Sequence, residues 1–173
     1  MNQTNPSERG QATSRRGFLT TSAAAVPAAA ITGLVGNAIG YAAASDVIRV
    51  GMIGCGGRNS EAGGQALTAD KGARLVAMAD IVLDRIQETR SALKVKFSDQ
   101  VAVDNDHCFA GFEGYRKVIE SSDVVLIANA AKFHPMHMMA AIQAGKHVFV
   151  EKPHAIDPAG IKVVKAACEL ARK

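Results

Sequence analysis

Cysteine is scarce in this chain: there are three, Cys55, Cys108 and Cys168, odd in number and widely spaced. That pattern excludes a disulfide framework and a Cys-x-x-Cys metal or redox site, and it predicts small apolar residues buried in a core. Charge of one sign is scarce as well. The formal charge of +4 falls to +2 once Glu8, Arg9, Arg15 and Arg16 are set aside, and the remaining Lys and Arg stand among acids. Such a distribution offers no basic footprint for nucleic acid. With 48% apolar and 21% charged residues, the composition excludes a disordered chain and suits one soluble domain.

A long apolar run occurs only near the start. Arg15 and Arg16 precede Gly17, Phe18 and Leu19, and an apolar stretch follows to about Ala44, interrupted only by Thr, Ser, Asn37 and Gly. A charged segment, an apolar segment and the small residues Ala42, Ala43 and Ala44 together predict an export signal over residues 1–44, cleaved before Ser45. The paired arginines resemble the twin-arginine signature, which a receptor reads as an address. The expectation is a periplasmic protein that meets the membrane only transiently through this signal. An uncleaved anchor, or a disordered Ala-rich tail, would account for the apolar run but not for the arginines.

Residues 45–173 then form one domain, long enough to bury a core. Val47 to Ile53 is a short β-branched run ended by Gly54, and Ala73 to Ala79, Asp123 to Ala128 and Lys146 to Val150 have the same character. Helical patterns lie between them. Val82, Ile86, Thr89 and Leu93 share one face, as do Met136, Met139, Ala140 and Ile142, with Gly145 as a stop. Ile161, Val164, Cys168 and Ala171 form a third stripe behind Asp157 as N-cap and Pro158 at the first helical position. Arg58 to Ala69 is a weaker helix with two internal glycines; a short piece at His107 to Phe109 and a helix from Glu113 to Glu120 complete the alternation. Strand and helix in alternation predict an α/β fold with a doubly wound parallel sheet, whose ligand sits at the carboxyl ends of the strands.

The loop after the first strand carries the chemistry. Gly54 permits a tight turn, and Gly56 and Gly57 let backbone approach a pyrophosphate at the N-terminus of the next helix, with Ile53 and Arg58 at the edges. The third glycine of Gly-x-Gly-x-x-Gly is Asn59, whose side chain predicts looser packing of helix on strand. Asp80 ends the second strand 24 residues after Gly56, near the spacing at which a carboxylate binds the adenosine ribose. A carboxylate there favours NAD over NADP. The bland alternatives are an empty turn for the glycines and a helix cap for Asp80.

These features resemble the N-terminal half of the Gfo/Idh/MocA family. The resemblance rests on "VGMIGCGGR", "ADIVLDR", "CFAGFEGYRKVI" and above all "DVVLIANAAKFHPMHMMAAIQAGKHVFVEKPHAIDPAG". It implies a Rossmann fold binding NAD, with NADP possible, and hydride transfer to or from a sugar or polyol. It also implies that Lys152 reaches the nicotinamide and the substrate hydroxyl, that Glu151 contacts the ribose region, and that Pro153 shapes the turn. Asn129 stands where the family carries Thr-Pro, and the family's histidine matches His134 in one version of the motif and His137 in another. Tyr115 and Met138 are expected to pack. Members continue into a second, mostly antiparallel domain with an Asp and a His for proton transfer. The resemblance therefore implies the N-terminal part of such an enzyme, inactive by itself. Two other readings are an exported non-catalytic binding module and a Rossmann enzyme using another nucleotide such as S-adenosylmethionine; the latter leaves Glu151, Lys152 and Pro153 unaccounted for.

Overall fold

The computed structural model describes residues 47–173; the expected signal over 1–44 and its cleavage site lie outside them. Five strands form one parallel sheet: β1 (Ile48–Ile53), β2 (Ala73–Asp80), β3 (Cys108–Ala110), β4 (Val124–Ile127) and β5 (His147–Val150), in the order β3-β2-β1-β4-β5. The helices are α1 (Gly57–Ala69), α2 (Leu83–Lys96), α3 (Gly114–Ser121), α4 (His134–Gln143) and α5 (Pro158–Leu170), with a 3-10 turn at Ala131–Phe133. The chain runs outward from β1 to β3 and returns across the sheet to β4. The carboxyl ends of β1 and β4 are therefore neighbours where the winding reverses, the crevice in which such sheets bind ligands.

Alternation along the strands builds two cores. Val50, Met52, Leu75 and Met78 face Leu67 of α1 and Ile86 and Leu93 of α2. Ile53, Ala77, Val125 and Ile127 face Tyr115 and Val118 of α3 and Met138 and Ala141 of α4. Burial on both faces is what parallel strands joined by helical crossovers require. One glycine sets the depth of the second core. A Cβ at Gly51 would collide with Ser122 Oγ and come within 2.6 Å of Val118 Cγ1, so α3 lies directly on the β1 backbone. At the amino ends, Arg49 and Asp123 are paired through Nη2 to Oδ1 at 2.6 Å and Nε to Oδ2 at 3.1 Å, and the Arg49 N–H donates to the same carboxylate. The arginine holds the Asp123 carboxyl below the usual carboxylate range.

Helix ends follow local chemistry. Asp157 accepts from the Gly160 N–H at 2.6 Å and Pro158 opens α5, as the sequence predicts. Gly145, with φ of +69°, ends α4.

Four expectations need correction. The buried side of α4 is His134, His137, Met138 and Ala141, while Met136 is 47% exposed and Met139, Ala140 and Ile142 are only partly buried. His134 takes the inward face because two backbone oxygens await it there, and His137 because its ring stacks on Tyr115, neither of which hydropathy alone weighs. In α5 only Ala167 is buried; Ile161, Cys168 and Ala171 are exposed, because the helix lies against α4 and presents Ala167 and Gly160 to it. Of the cysteines Cys55 is buried, Cys108 half-buried and Cys168 exposed. Val82 precedes α2 and is exposed, whereas Ile86, Thr89 and Leu93 are buried as expected.

Candidate functional site

The loops at the carboxyl ends of β1, β2, β3 and β4 meet around a 420 Å³ cleft lined in part by Ile53, Gly54, Gly56, Asp80, Asn129 and His137. Gly54 has φ of +91°, and a Cβ on it would lie 2.7 Å from Asn129 Cα. Only glycine therefore lets the loop after β1 pass that close to the loop after β4. Gly56, the N-cap of α1, and Gly57 behind it differ: a Cβ on either would meet nothing within 4 Å. Their bareness leaves the backbone N–H groups of the α1 N-terminus open to an anion, where the helix dipole favours one. No acidic residue stands in the first turn of α1 to fill that role.

Asn59 is where the structure departs most from expectation. Far from loosening the packing, its side chain is wholly buried. Its Nδ2 lies 2.7 Å from the Gly54 carbonyl oxygen, 3.1 Å from that of Ile53 and 3.2 Å from that of Leu126. The amide thus joins the end of β1, the glycine loop and β4 at the reversal of the winding. Thr89 adds a second tie from α2, its hydroxyl donating to the Cys55 carbonyl at 2.7 Å. Burial pushes the Cys55 thiol up in pKa, which keeps it protonated and inert.

Asp80 reaches across from β2. One carboxylate oxygen accepts from the Cys55 N–H at 2.7 Å and the other from the Val82 N–H at 3.2 Å. Asp80 therefore holds the glycine loop and shapes the turn into α2, while α2 itself has no side-chain cap. On the far side, Glu151 pairs with Arg58 at 2.7 Å, bringing the loop after β5 against the first turn of α1. Lys152 follows, exposed, and its bond to Pro153 is cis.

The two histidines divide sharply. His134 is buried with both ring nitrogens against backbone oxygens, Nδ1 at 2.9 Å from Pro153 O and Nε2 at 3.0 Å from Asn129 O. His137 lines the cleft, its ring stacked on Tyr115 at 4.3 Å and 5.9 Å from that of Phe133. Burial, with His134 nearby, pushes its pKa down to about 4, so the ring is neutral at pH 7. Its Nδ1 is 3.2 Å from Asn129 Nδ2, leaving His137 Nε2 and Asn129 Oδ1 buried without a protein partner. Orphaned buried polar atoms beside a cleft are a cost that a bound polar molecule relieves.

Sequence reasoning selects Ile53, Gly54, Gly56, Gly57, Arg58, Asp80, Asn129, His134, Glu151, Lys152 and Pro153, and the structure gathers them all at this one end of the sheet. It does not find the clasp of Asn59, the tie of Thr89 or the aromatic wall of Tyr115, Phe133 and His137. The polar identity of Asn59 and Thr89, at positions where a core pattern calls for apolar residues, is the signal that marks them.

A glycine-lined backbone at a helix N-terminus, an acidic residue ending β2 and a crevice at the winding reversal define a dinucleotide-binding domain. Residues 48–173 match the oxidoreductase family with an NAD-binding Rossmann fold, Gfo/Idh/MocA, and the chain belongs to that family. The inositol 2-dehydrogenase of Acidothermus cellulolyticus is 30% identical over 120 residues, 69% of this chain and 32% of that protein. A glycosyl hydrolase family 109 protein of Bacteroides fragilis is 32% identical over 114 residues, 64% of this chain and 23% of its own length. Among solved structures, the WlbA dehydrogenase from Bordetella pertussis in complex with NADH and UDP-GlcNAcA matches with a TM-score of 0.56 and 26% identity over 73% of this chain and 33% of that one. The 3-ketoreductase KijD10 from Actinomadura kijaniata, in complex with NADP and TDP-benzene, matches with a TM-score of 0.54 and 25% identity, covering 73% and 34%. The chain spans about a third of the length of the inositol dehydrogenase it matches.

Proposed function

We propose that this chain provides the cofactor-binding part of an exported oxidoreductase that moves hydride between NAD(P) and a secondary alcohol of a sugar or polyol. The observation that carries this reading is the bare backbone of Gly56 and Gly57 at the N-terminus of α1, with Asp80 across the cleft. A pyrophosphate fits the former, and a ribose diol fits the carboxylate of the latter. The names of relatives that act on inositol, and of solved neighbours holding NADH or NADP, support it.

The bound nicotinamide would supply the hydride chemistry. The chain's own residues hold and orient it. Gly56 and Gly57 would offer their N–H groups to the pyrophosphate, Asp80 would accept from the ribose, and Asn129 and His137 would give their unpartnered polar atoms to groups entering the cleft. Lys152 would hold the alcohol oxygen by a hydrogen bond and, as the neutral amine, take the proton the alcohol releases and pass it on. Its exposure leaves it free for a substrate. The proton partners and the substrate walls belong to the remaining length that the relatives possess, so turnover is proposed for the whole protein and only binding for this chain. In the whole protein, Lys152→Ala should abolish NADH formation from a polyol panel while NADH still binds; unchanged turnover would refute the role of Lys152.

The alternative is an exported dinucleotide-binding or interaction module without chemistry. A whole protein that binds NADH yet reduces no member of a broad panel would support it. Export itself rests on Arg15 and Arg16. Replacing both with lysine should retain the protein in the cytoplasm; periplasmic recovery at the normal level would contradict the twin-arginine reading.

A further inference from the structure

His134 carries an inference beyond ligand contact. It opens α4 at 2% exposure, and its two ring nitrogens face carbonyl oxygens on two different loops. Asn129 follows β4, and Pro153 follows Lys152 after β5. A carbonyl oxygen only accepts, so a ring N–H donates to it, and the one imidazole ring spans the gap between the two carbonyls. Neither nitrogen is left for a molecule in the cleft.

The neighbours of these contacts give them their purpose. Asn129 is the residue against which Gly54 passes, and Glu151, one residue before Lys152, is held by Arg58 of α1. The loop carrying Lys152 is thereby fixed at two points, Glu151 to α1 and Pro153 through His134 to the loop after β4. Lys152 itself is exposed between them. We propose that His134 is a positioning residue, an imidazole clasp that sets the Lys152 loop against the loop after β4 and so fixes where the lysine stands relative to the cleft. This rests on the functional reading of Lys152 given above, but the clasp is testable without it.

The test uses the full chain with His134→Phe, which keeps a ring but no donor, and His134→Gln, which keeps one amide donor group. Hydrogen exchange is followed by mass spectrometry in peptides spanning 128–133 and 150–156, with peptides of β2 and α2 as internal reference, and NADH affinity is measured in parallel. In His134→Phe both loops should exchange about tenfold faster while β2 and α2 are unchanged, as expected for local opening. NADH should also bind about tenfold more weakly. His134→Gln should recover protection in one loop and not the other. Should His134→Phe fail to fold, loss of protection confined to one loop in His134→Gln supports the clasp, and full protection of both overturns it. Unchanged exchange in both loops, a rise spread evenly over the domain, or, where the wild-type chain binds NADH, loosened loops with unaltered affinity would also overturn it. A wild-type chain that binds no NADH counts against the functional reading alone, since the exchange result still decides the clasp.

Discussion

The side-chain amide of Asn59 lies 3.2 Å from the backbone oxygen of Leu126, joining the helix after β1 to the body of β4. The same nitrogen reaches Gly54 O at 2.7 Å, so one buried group fixes the glycine loop relative to the strand beyond the winding reversal. Asn59→Asp should be the most damaging change at this position, because it turns a donor facing three oxygens into an acceptor. The expected cost is about 3–5 kcal/mol, that of a buried charge left without a partner. Asn59→Gly restores the usual glycine and should cost only about 1–3 kcal/mol in lost hydrogen bonding. Urea unfolding of the two variants ranks them; equal stabilities would mean that the amide is not a clasp.

Gly51 makes a sharper prediction about packing than any large residue does. A methyl group there meets Val118 Cγ1 of α3 and Ser122 Oγ at the C-cap of that helix. Gly51→Ala should destabilise by about 1–3 kcal/mol, the usual cost of overpacking. Ser122→Ala in the same chain should recover part of this, a coupling of about 0.5 kcal/mol or more in a double-mutant cycle. Additive losses would place the collision elsewhere.

His137 links stability to pH. Its folded pKa of about 4 lies below the ordinary histidine value, so the unfolded chain takes up a proton that the folded chain refuses. Stability contributed by this group is complete above about pH 6.5 and is lost as pH falls toward 4, by at most about 3 kcal/mol. Depression of Asp123 by Arg49 acts in the same direction at lower pH, but both side chains are largely solvent-exposed and the effect there is small. His137→Phe should flatten the slope of stability between pH 4 and 6.5. An unchanged slope would show that the ring titrates normally in the folded protein.

The sheet was legible in the sequence because parallel strands buried on both faces are continuous β-branched runs, and Val47 to Ile53 and Ala73 to Ala79 each fall within a residue of an observed strand. The capping chemistry of Asp157 and Pro158 and the stop at Gly145 were legible for the same local reason. What escaped depends on partners distant in the chain. Asn59 reads as a flaw in a glycine motif until Leu126, 67 residues away, is brought beside it. His134 and His137 are two alternative matches to one motif position until Pro153, Asn129 and Tyr115 surround them. The apolar stripe of α5 predicted a buried face, yet the helix rests on α4 through its small residues instead.

The central claim is that the backbone at Gly56 receives a dinucleotide pyrophosphate, and Gly56→Val tests it most directly. Gly56 has φ of −80°, which any residue adopts, and a Cβ there touches nothing, so the substitution should leave the melting temperature unchanged while filling the space the phosphates need. Equilibrium titration with NADH should give saturable binding to the wild-type chain and at least about tenfold weaker binding to the variant, a loss of about 1.4 kcal/mol or more. Equal affinity of the two chains, or no binding to the wild-type chain, would contradict the account.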